Sequence, residues 1–243
     1  MKTFGLIGRN ISYSFSRNFF NNKFKIENID AKYENFDIQN ISEFPDILKQ
    51  NPSISGFNVT IPYKESIIKY LDEIDPTAKE IGAVNTIKVN TEGKLIGFNT
   101  DFYGFTEALK EHLKPQHTNA LILGTGGASK AIAYALKQLG INYTYVSRTK
   151  QENNLTYAEI TKDILENFKL IINCTPLGTY PNIEDSPSIP TQYISENHLV
   201  FDLIYNPPHT KLLKLALDQL AEITNGLRML ELQAEKAWEI WNK

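Results

Sequence analysis

The sequence predicts an α/β protein of two domains, each built on a mainly parallel sheet covered by helices. Three observations carry that expectation. Strand-like and helix-like apolar patterns alternate along the whole chain, which calls for crossover connections and parallel pairing. A glycine-rich turn, Gly124-Thr125-Gly126-Gly127, joins a strand-like run to a helix-like one in mid-chain. The 243 residues, 42% hydrophobic and 22% charged, are enough for one large core or two modest ones.

Phe4 to Ile7 reads as the first strand. Phe15, Phe19, Phe20 and Phe24 then recur at helical spacing behind Ser14 or Ser16 as caps, and are expected in the core. Tyr33 to Ile38 suggests a second strand, Ile41 to Leu48 a helix, Ser55 to Ile61 a third strand, and Ile67, Ile68, Leu71 and Ile74 the apolar stripe of a helix. Gly82 to Ile87 leads into a strand, Asn90 to Lys94 turns it, and Leu95 to Phe98 returns antiparallel. Phe102, Phe105, Leu109 and Leu113 mark a helix after Asp101, which Lys114-Pro115-Gln116-His117 breaks.

The domain junction is expected near residue 103. Beyond it, strands are expected at Ala120 to Leu123, Tyr143 to Ser147, Leu170 to Asn173 and Leu199 to Leu203, with a helix carrying Leu212, Leu213, Ala216, Leu217 and Leu220. From Leu227 onward, Met229, Leu230, Gln233, Ala237, Ile240 and Trp241 share one broad helical face, on which Gln233 is the single polar member. The expected division is therefore residues 1–102 with 227–243 as one domain and 103–226 as the other.

Composition narrows the function. A net charge of −3 gives no basic excess for a nucleic-acid-binding face, yet leaves room for a local cationic pocket. The lone Cys174 offers neither a disulfide nor a thiolate cluster for a metal, which suits a reducing compartment. Met1-Lys2-Thr3 runs straight into a strand-like segment, and no apolar run approaches membrane-spanning length. A soluble, cytoplasmic protein acting on a small molecule, as a monomer or homodimer, is the expectation.

One segment reads as a site. In Gly56-Phe57-Asn58-Val59-Thr60-Ile61-Pro62-Tyr63-Lys64, apolar and polar residues alternate, so a strand would show Asn58 and Thr60 on one face and stop at Pro62, which lacks an amide donor. Lys64 then stands at the strand mouth. Gly97-Phe98-Asn99-Thr100-Asp101 brings a carboxylate to the start of a helix, and open α/β sheets bind ligands outside the carboxyl ends of their strands. Singly, a lysine after a proline is ordinarily solvated and such an aspartate is ordinarily a cap. Their occurrence together with a glycine loop points to chemistry.

In Leu121-Ile122-Leu123-Gly124-Thr125-Gly126-Gly127-Ala128-Ser129, glycine permits a tight turn and close approach of a phosphate to backbone amides and the positive helix end. Ser129 occupies the third-glycine position. An NAD-selective domain would place an acid roughly 20 residues past the loop to hold the ribose hydroxyl. Here Ser147-Arg148-Thr149-Lys150 stands instead, and a guanidinium fork suits a 2′-phosphate, which favours NADP(H) over NAD(H). The alternative is a solvated basic turn. Asn173-Cys174-Thr175-Pro176-Leu177-Gly178 follows another buried strand and offers small side chains to a nicotinamide or ribose, or is a plain turn. Cys174 is given no catalytic role, since no histidine is coupled to it.

Taken together, these segments resemble the shikimate dehydrogenase family over nearly the whole chain, and in the family's order. The resemblance also covers Gly5-Leu6-Ile7-Gly8 with Ser14-Phe15-Ser16, Gly82-Ala83-Val84-Asn85-Thr86, Asp202-Leu203-Ile204-Tyr205, and Met229-Leu230 followed by Gln233. It implies reversible NADPH-dependent reduction of 3-dehydroshikimate to shikimate in the cleft between the domains. By the same resemblance, Lys64 and Asp101 are the catalytic pair, and Ser14, Ser16, Asn58, Thr60, Asn85, Tyr205 and Gln233 hold the substrate. The cofactor would be held by Gly124, Gly126, Gly127, Ala128, Ser147, Arg148 and Thr149, with Thr175 and Met229. A relative taking another polyol or NAD, and a non-catalytic NADP-binding sensor, stand as alternatives. The chain departs from the family pattern at Tyr13, Arg17, Phe20 and Arg228, and is short after Thr149.

Overall fold

Among the described residues of the computed structural model, 1–12 and 14–243, two six-stranded sheets organise the chain. Contacts divide it into two units, Met1–Thr100 with Ala234–Lys243, and Asp101–Gln233. Tyr13, one of the departures from the family pattern, lies outside the described residues.

The first unit runs β1 (Lys2–Gly8), α1 (Phe15–Ile26), β2 (Ala31–Asp37), α2 (Phe44–Gln50), β3 (Ile54–Val59), β4 (Glu73–Ile74), α3 (Pro76–Ile81), β5 (Thr86–Val89) and β6 (Leu95–Phe98). Its sheet has the order β2-β1-β3-β5-β6-β4. β1 lies parallel to β2 and β3, β5 is antiparallel to β3 and β6, and β4 is parallel to β6. Alternation along β1 sends Ile7 into a core with Phe44, Phe57, Ile67 and Ile87, and Phe4 and Leu6 into a second core with Phe20, Phe24 and Tyr33. Trp241 closes that second core and donates its indole N–H to the Ile87 carbonyl at 3.0 Å. A Cβ on Gly56 would collide with that indole, so the middle of β3 requires glycine.

The second unit runs α4 (Asp101–Lys110), β7 (Asn119–Leu123), α5 (Gly127–Gln138), β8 (Asn142–Ser147), β9 (Asn154–Thr156), α6 (Lys162–Asn167), β10 (Leu170–Asn173), β11 (Leu199–Asp202), α7 (Lys211–Leu217), β12 (Glu222–Thr224) and the start of α8 (Leu227–Asn242). All its strands pair in parallel, in the order β12-β11-β10-β7-β8-β9. Counted from β7, this is the doubly wound order 3-2-1-4-5-6 of a dinucleotide-binding sheet. Its central strands are apolar on both faces: Ile122 and Ile172 serve one core, Leu121 and Ile171 the other.

Several local expectations shift. Ser16, Phe20 and Phe24, spaced by four, form the buried line of α1, and Phe15 and Phe19 flank it half-buried. Ile67, Ile68, Leu71 and Ile74 do not share a helix. Ser66–Tyr70 is a short 3-10 turn, and the Asp72 carboxylate accepts the Leu95 amide at 2.8 Å, so the chain peels into β4. β3 ends at Val59, although the Thr60 amide still donates to the Ile7 carbonyl at 2.9 Å. β9, α6 and β12 appear only in the structure. The units divide inside α8, whereas sequence placed a boundary at its start: Met229 and Leu232 pack in the second unit and Ala234, Ala237 and Trp241 in the first, along one unbroken helix.

A buried acid ties together the strand ends of the second unit. Asp202 accepts from Asn173 Nδ2 at 3.0 Å, from the Ile204 amide at 3.1 Å and from Thr210 Oγ1 at 2.7 Å. Burial pushes its carboxyl up, and the three donors oppose that shift. Thr210 also caps α7, accepting the Leu213 amide. At the opposite strand ends, His198 is buried, accepts the Ser195 amide at Nδ1 and donates from Nε2 to the Leu165 carbonyl at 2.8 Å. Burial lowers the pKa of His198 and of His117.

Thr210→Val, which removes both a donor and a cap, should lower the unfolding free energy in urea by about 2–3 kcal/mol. A histidine whose folded pKa is depressed contributes stability that is complete above its unfolded value of about 6.5 and is lost as pH falls below it. The urea midpoint should therefore drop between about pH 8 and about pH 5.5, and His198→Gln should shrink that drop.

Candidate active site

The end of β3 is fixed from two sides. The Val59 amide donates to the Asn85 carbonyl at 2.8 Å, the Asn85 amide to the Phe98 carbonyl at 3.0 Å, and the Val84 amide to the Lys64 carbonyl at 2.8 Å. These bonds hold the 58–64 segment against the entry to β5. Tyr63 is buried, and its hydroxyl donates to the Ile38 carbonyl at 2.8 Å, so the residue before Lys64 is anchored in the core. Lys64 itself is half-buried, while Ile61 is exposed. Thr60 packs against Gly8, where a Cβ would strike its methyl group.

Beneath this surface lies a continuous polar layer. The Asn58 amide, 4% exposed, accepts from the Tyr33 hydroxyl at 2.8 Å and donates to Thr86 Oγ1 at 3.2 Å and to the Asn85 carbonyl at 3.4 Å. Thr86 Oγ1 reaches Asn85 Oδ1 at 3.2 Å. Asn85 in turn accepts the Thr100 amide at 2.6 Å and donates to Thr100 Oγ1 at 3.0 Å. Ser16 lies near the Tyr33 hydroxyl in the first turn of α1, whose cap is Ser14 Oγ accepting the Arg17 amide at 3.3 Å. The structure thus joins Asn58 and Asn85 in one hydrogen-bonded group, with Ser16 near it. Of the residues that link them, Thr86 and Thr100 belong to two of the motif segments, and Tyr33 to none. Phe20 stacks on Tyr33 with ring centres 4.7 Å apart, so this departure from the family pattern is a core residue.

In the second unit, Asp101 is 6% exposed and is the first helical residue of α4 rather than the residue before it. Gly104, one turn on, lets α4 approach α8 closely: a Cβ there would meet the Met229 carbonyl and Gln233. Asp101, Met229 and Gln233 are therefore carried on two helices in contact. Met229 is buried among Phe105, Ile132 and Leu136, and the Gln233 amide donates to the Leu230 carbonyl at 2.9 Å. Arg228 is exposed and paired with Glu111 at 3.1 Å. Tyr205 is half-buried, and burial raises its hydroxyl pKa.

The glycine turn lies between β7 and α5. Gly124 has φ +98°, a conformation open to glycine, and a Cβ there would press on Thr175. Gly126 caps α5, and no atom lies within 4 Å of where its Cβ would be, so the backbone is open to a bound group. Ser129 in the third-glycine position is fully buried and turns its hydroxyl back to the Gly126 carbonyl at 2.7 Å, which seals the turn. Thr175, across from Gly124, is oriented by Asn173 Oδ1, which accepts both its amide and its hydroxyl. These features fit a dinucleotide: amides at a helix N-terminus, and backbone left uncovered by side chains.

At the end of β8, Ser147 is buried and Arg148 and Thr149 are exposed. Arg148 makes no ion pair among the described residues. Lys150 is committed to Glu159 at 2.6 Å, and that ammonium, with the Thr156 amide and hydroxyl, brings the Glu159 carboxyl down to about 2. A cavity of about 470 Å³ opens beside the turn, lined by Thr125, Ser129, Lys130, Tyr145 and the 151–154 segment. The Tyr145 hydroxyl is pushed up to about 12, chiefly by burial. Cys174 is a free thiol whose pKa is pushed far up by burial, which makes it a poor nucleophile.

Residues 6–87 match the family model of the shikimate dehydrogenase substrate binding domain. The shikimate dehydrogenase (NADP(+)) of Clostridium botulinum is 42% identical over 252 residues, covering 99% of this chain and 96% of its own. That of Methanosphaera stadtmanae is 40% identical, covering 98% of this chain and 90% of its own. Among solved structures, the shikimate 5-dehydrogenase of Thermus thermophilus in complex with NADP(H) and shikimate superposes with a TM-score of 0.88 at 32% identity, over 99% of this chain and 93% of its own. Identity of this extent along the full length settles the kinship: the chain belongs to the shikimate dehydrogenase family.

Proposed function

We propose that the protein catalyses the reversible, NADPH-dependent reduction of 3-dehydroshikimate to shikimate, a step of aromatic amino acid biosynthesis. The observation that carries this reading is relatedness along the whole chain, at 42% identity, to an enzyme of that name. The two units divide the labour. The first, which contains the match to a substrate-binding domain, takes the small polyol; the second, with the doubly wound sheet and the open glycine turn, takes the cofactor.

Bound NADPH supplies the hydride, and this chain supplies alignment and a proton. As the ketone carbon is reduced, its oxygen gains negative charge, and Lys64 is assigned to stabilise that charge and protonate it. Asp101 is assigned as its carboxylate partner. Ser14, Ser16, Asn58, Thr60, Asn85, Tyr205 and Gln233 are assigned to the ring hydroxyls and the carboxylate, a donor and acceptor set suited to a polar ligand. Gly124, Gly126, Gly127 and Ala128 would receive the pyrophosphate, with Thr175 and Met229 toward the nicotinamide. Ser147, Arg148 and Thr149 would hold the 2′-phosphate. Arg148 suits that role because it is exposed and makes no ion pair among the described residues. A lone cysteine suits the reducing cytoplasm, with a monomer or homodimer as the working unit.

Purified protein with shikimate and NADP should generate the near-ultraviolet absorbance of reduced nicotinamide, and no such signal would defeat the assignment. Lys64→Ala should keep the fold and bind NADPH yet lose on the order of 10²- to 10⁴-fold in turnover; near-wild-type turnover removes Lys64 from catalysis. Arg148→Ala should raise the KM for NADPH far more than that for NADH, and equal weakening of both would exclude it as the 2′-phosphate ligand.

A further inference from the structure

We infer that Tyr33 is a positioning residue for substrate binding: its buried hydroxyl fixes Asn58 in the orientation the substrate needs. This rests on the function proposed above. Tyr33 lies on β2, is 1% exposed and touches none of the motif segments in sequence. Its ring is held rigidly. Phe20 stacks on one side at 4.7 Å with planes 15° apart, Trp241 lies 6.4 Å away, and its backbone is clamped to Asn21, whose amide donates to the Tyr33 carbonyl and accepts the Tyr33 amide, both at 3.0 Å. The hydroxyl at the end of that fixed ring is thus a fixed point in the core.

What it bonds gives it a role. Tyr33 donates to Asn58 Oδ1 at 2.8 Å, and Ser16 lies near the same hydroxyl. Because the tyrosine is a donor, Oδ1 must be the atom facing it, and Asn58 Nδ2 is turned the other way, toward Thr86 Oγ1 and the Asn85 carbonyl. Thr86 Oγ1 passes the same polarity on to Asn85 Oδ1. The donors therefore run in one direction, from Tyr33 through Asn58 and Thr86 to Asn85. Such a chain has one low-energy arrangement when every member is buried and satisfied. Two of its four members, Asn58 and Asn85, are assigned to the substrate, and Tyr33 is the link between β2 and the β3–β5 pair. Without its hydroxyl, Asn58 loses the donor that distinguishes its two orientations.

Tyr33→Phe keeps the ring and its stacking and removes only the hydroxyl. With wild-type protein active on shikimate and NADP, this variant should show a KM for shikimate raised about tenfold or more, as expected when a buried acceptor is orphaned, an unchanged KM for NADP and a retained fold by circular dichroism. Thr86→Val, which cuts the same chain one link further on, should shift the same constant in the same direction, and the double variant should lose less than the two losses combined. A shikimate KM unchanged in Tyr33→Phe, or a rise matched by that for NADP, overturns the role while leaving the function standing. Should Tyr33→Phe not fold, the same two criteria applied to Thr86→Val decide. Wild-type protein without shikimate-dependent reduction of NADP overturns the function and this role with it.

Discussion

The first unit's site depends on the backbone bonds between the end of β3 and the entry to β5. Three amides, those of Val59, Val84 and Asn85, bond across residues 58–64, 84–85 and 98. Each strand is short, four to six residues, and neither would order its polar side chains alone. Paired, they set Asn58 beside Thr86 and carry Asn85 to Thr100, so one register decision places four polar groups in contact. A slip of one residue would send Asn58 to the opposite face and Phe57 out of the core. Phe57 is fully buried between Phe36 and Phe44, and that burial keeps the register fixed.

The second unit solves a different problem with backbone. Its glycine turn has to present amides, and side chains there would obstruct them. Gly124 supplies the positive φ and Gly126 the open space, while Ser129 closes the turn from within, a task a third glycine could not perform because it has no hydroxyl. Below the turn, the Asn173–Asp202–Thr210 group ties the ends of β10 and β11 to the start of α7 and orients Thr175. Buried polar groups of this kind are costly when incomplete, and here every oxygen of the acid has a donor.

The alternation of apolar patterns was enough to read the α/β class and the doubly wound half, because buried parallel strands such as Leu170–Asn173 are apolar on both faces and leave a plain signal. Three-residue strands such as β9 and β12 leave none, and neither periodicity nor composition marks them. The misread stripe from Ile67 to Ile74 has a physical origin: four apolar residues at helical spacing also fit a turn followed by a strand, and the Asp72 bond to Leu95 decides between them. Tyr33 was unreadable for another reason. Its pattern position is that of any buried strand residue, and only the structure shows its hydroxyl reaching Asn58, 25 positions away.

A contrast in burial separates the proposed roles. Asn58 and Asn85 are buried and locked to one another, so they suit the recognition of fixed hydroxyl positions, for which rotation would cost affinity. Lys64 is half-buried on a turn, held by its carbonyl and by the buried Tyr63 before it, with a long side chain beyond that anchor. A group that must follow charge from a carbonyl to an alkoxide needs such reach, and a group that must identify a hydroxyl needs the opposite. The sequence encodes the difference in what surrounds each residue: aromatic core behind the asparagine, a solvent-facing Ile61-Pro62 ahead of the lysine. The buried Asn58 and the half-buried Lys64, proposed for recognition and for proton transfer, therefore stand on one short segment, on either side of the end of β3.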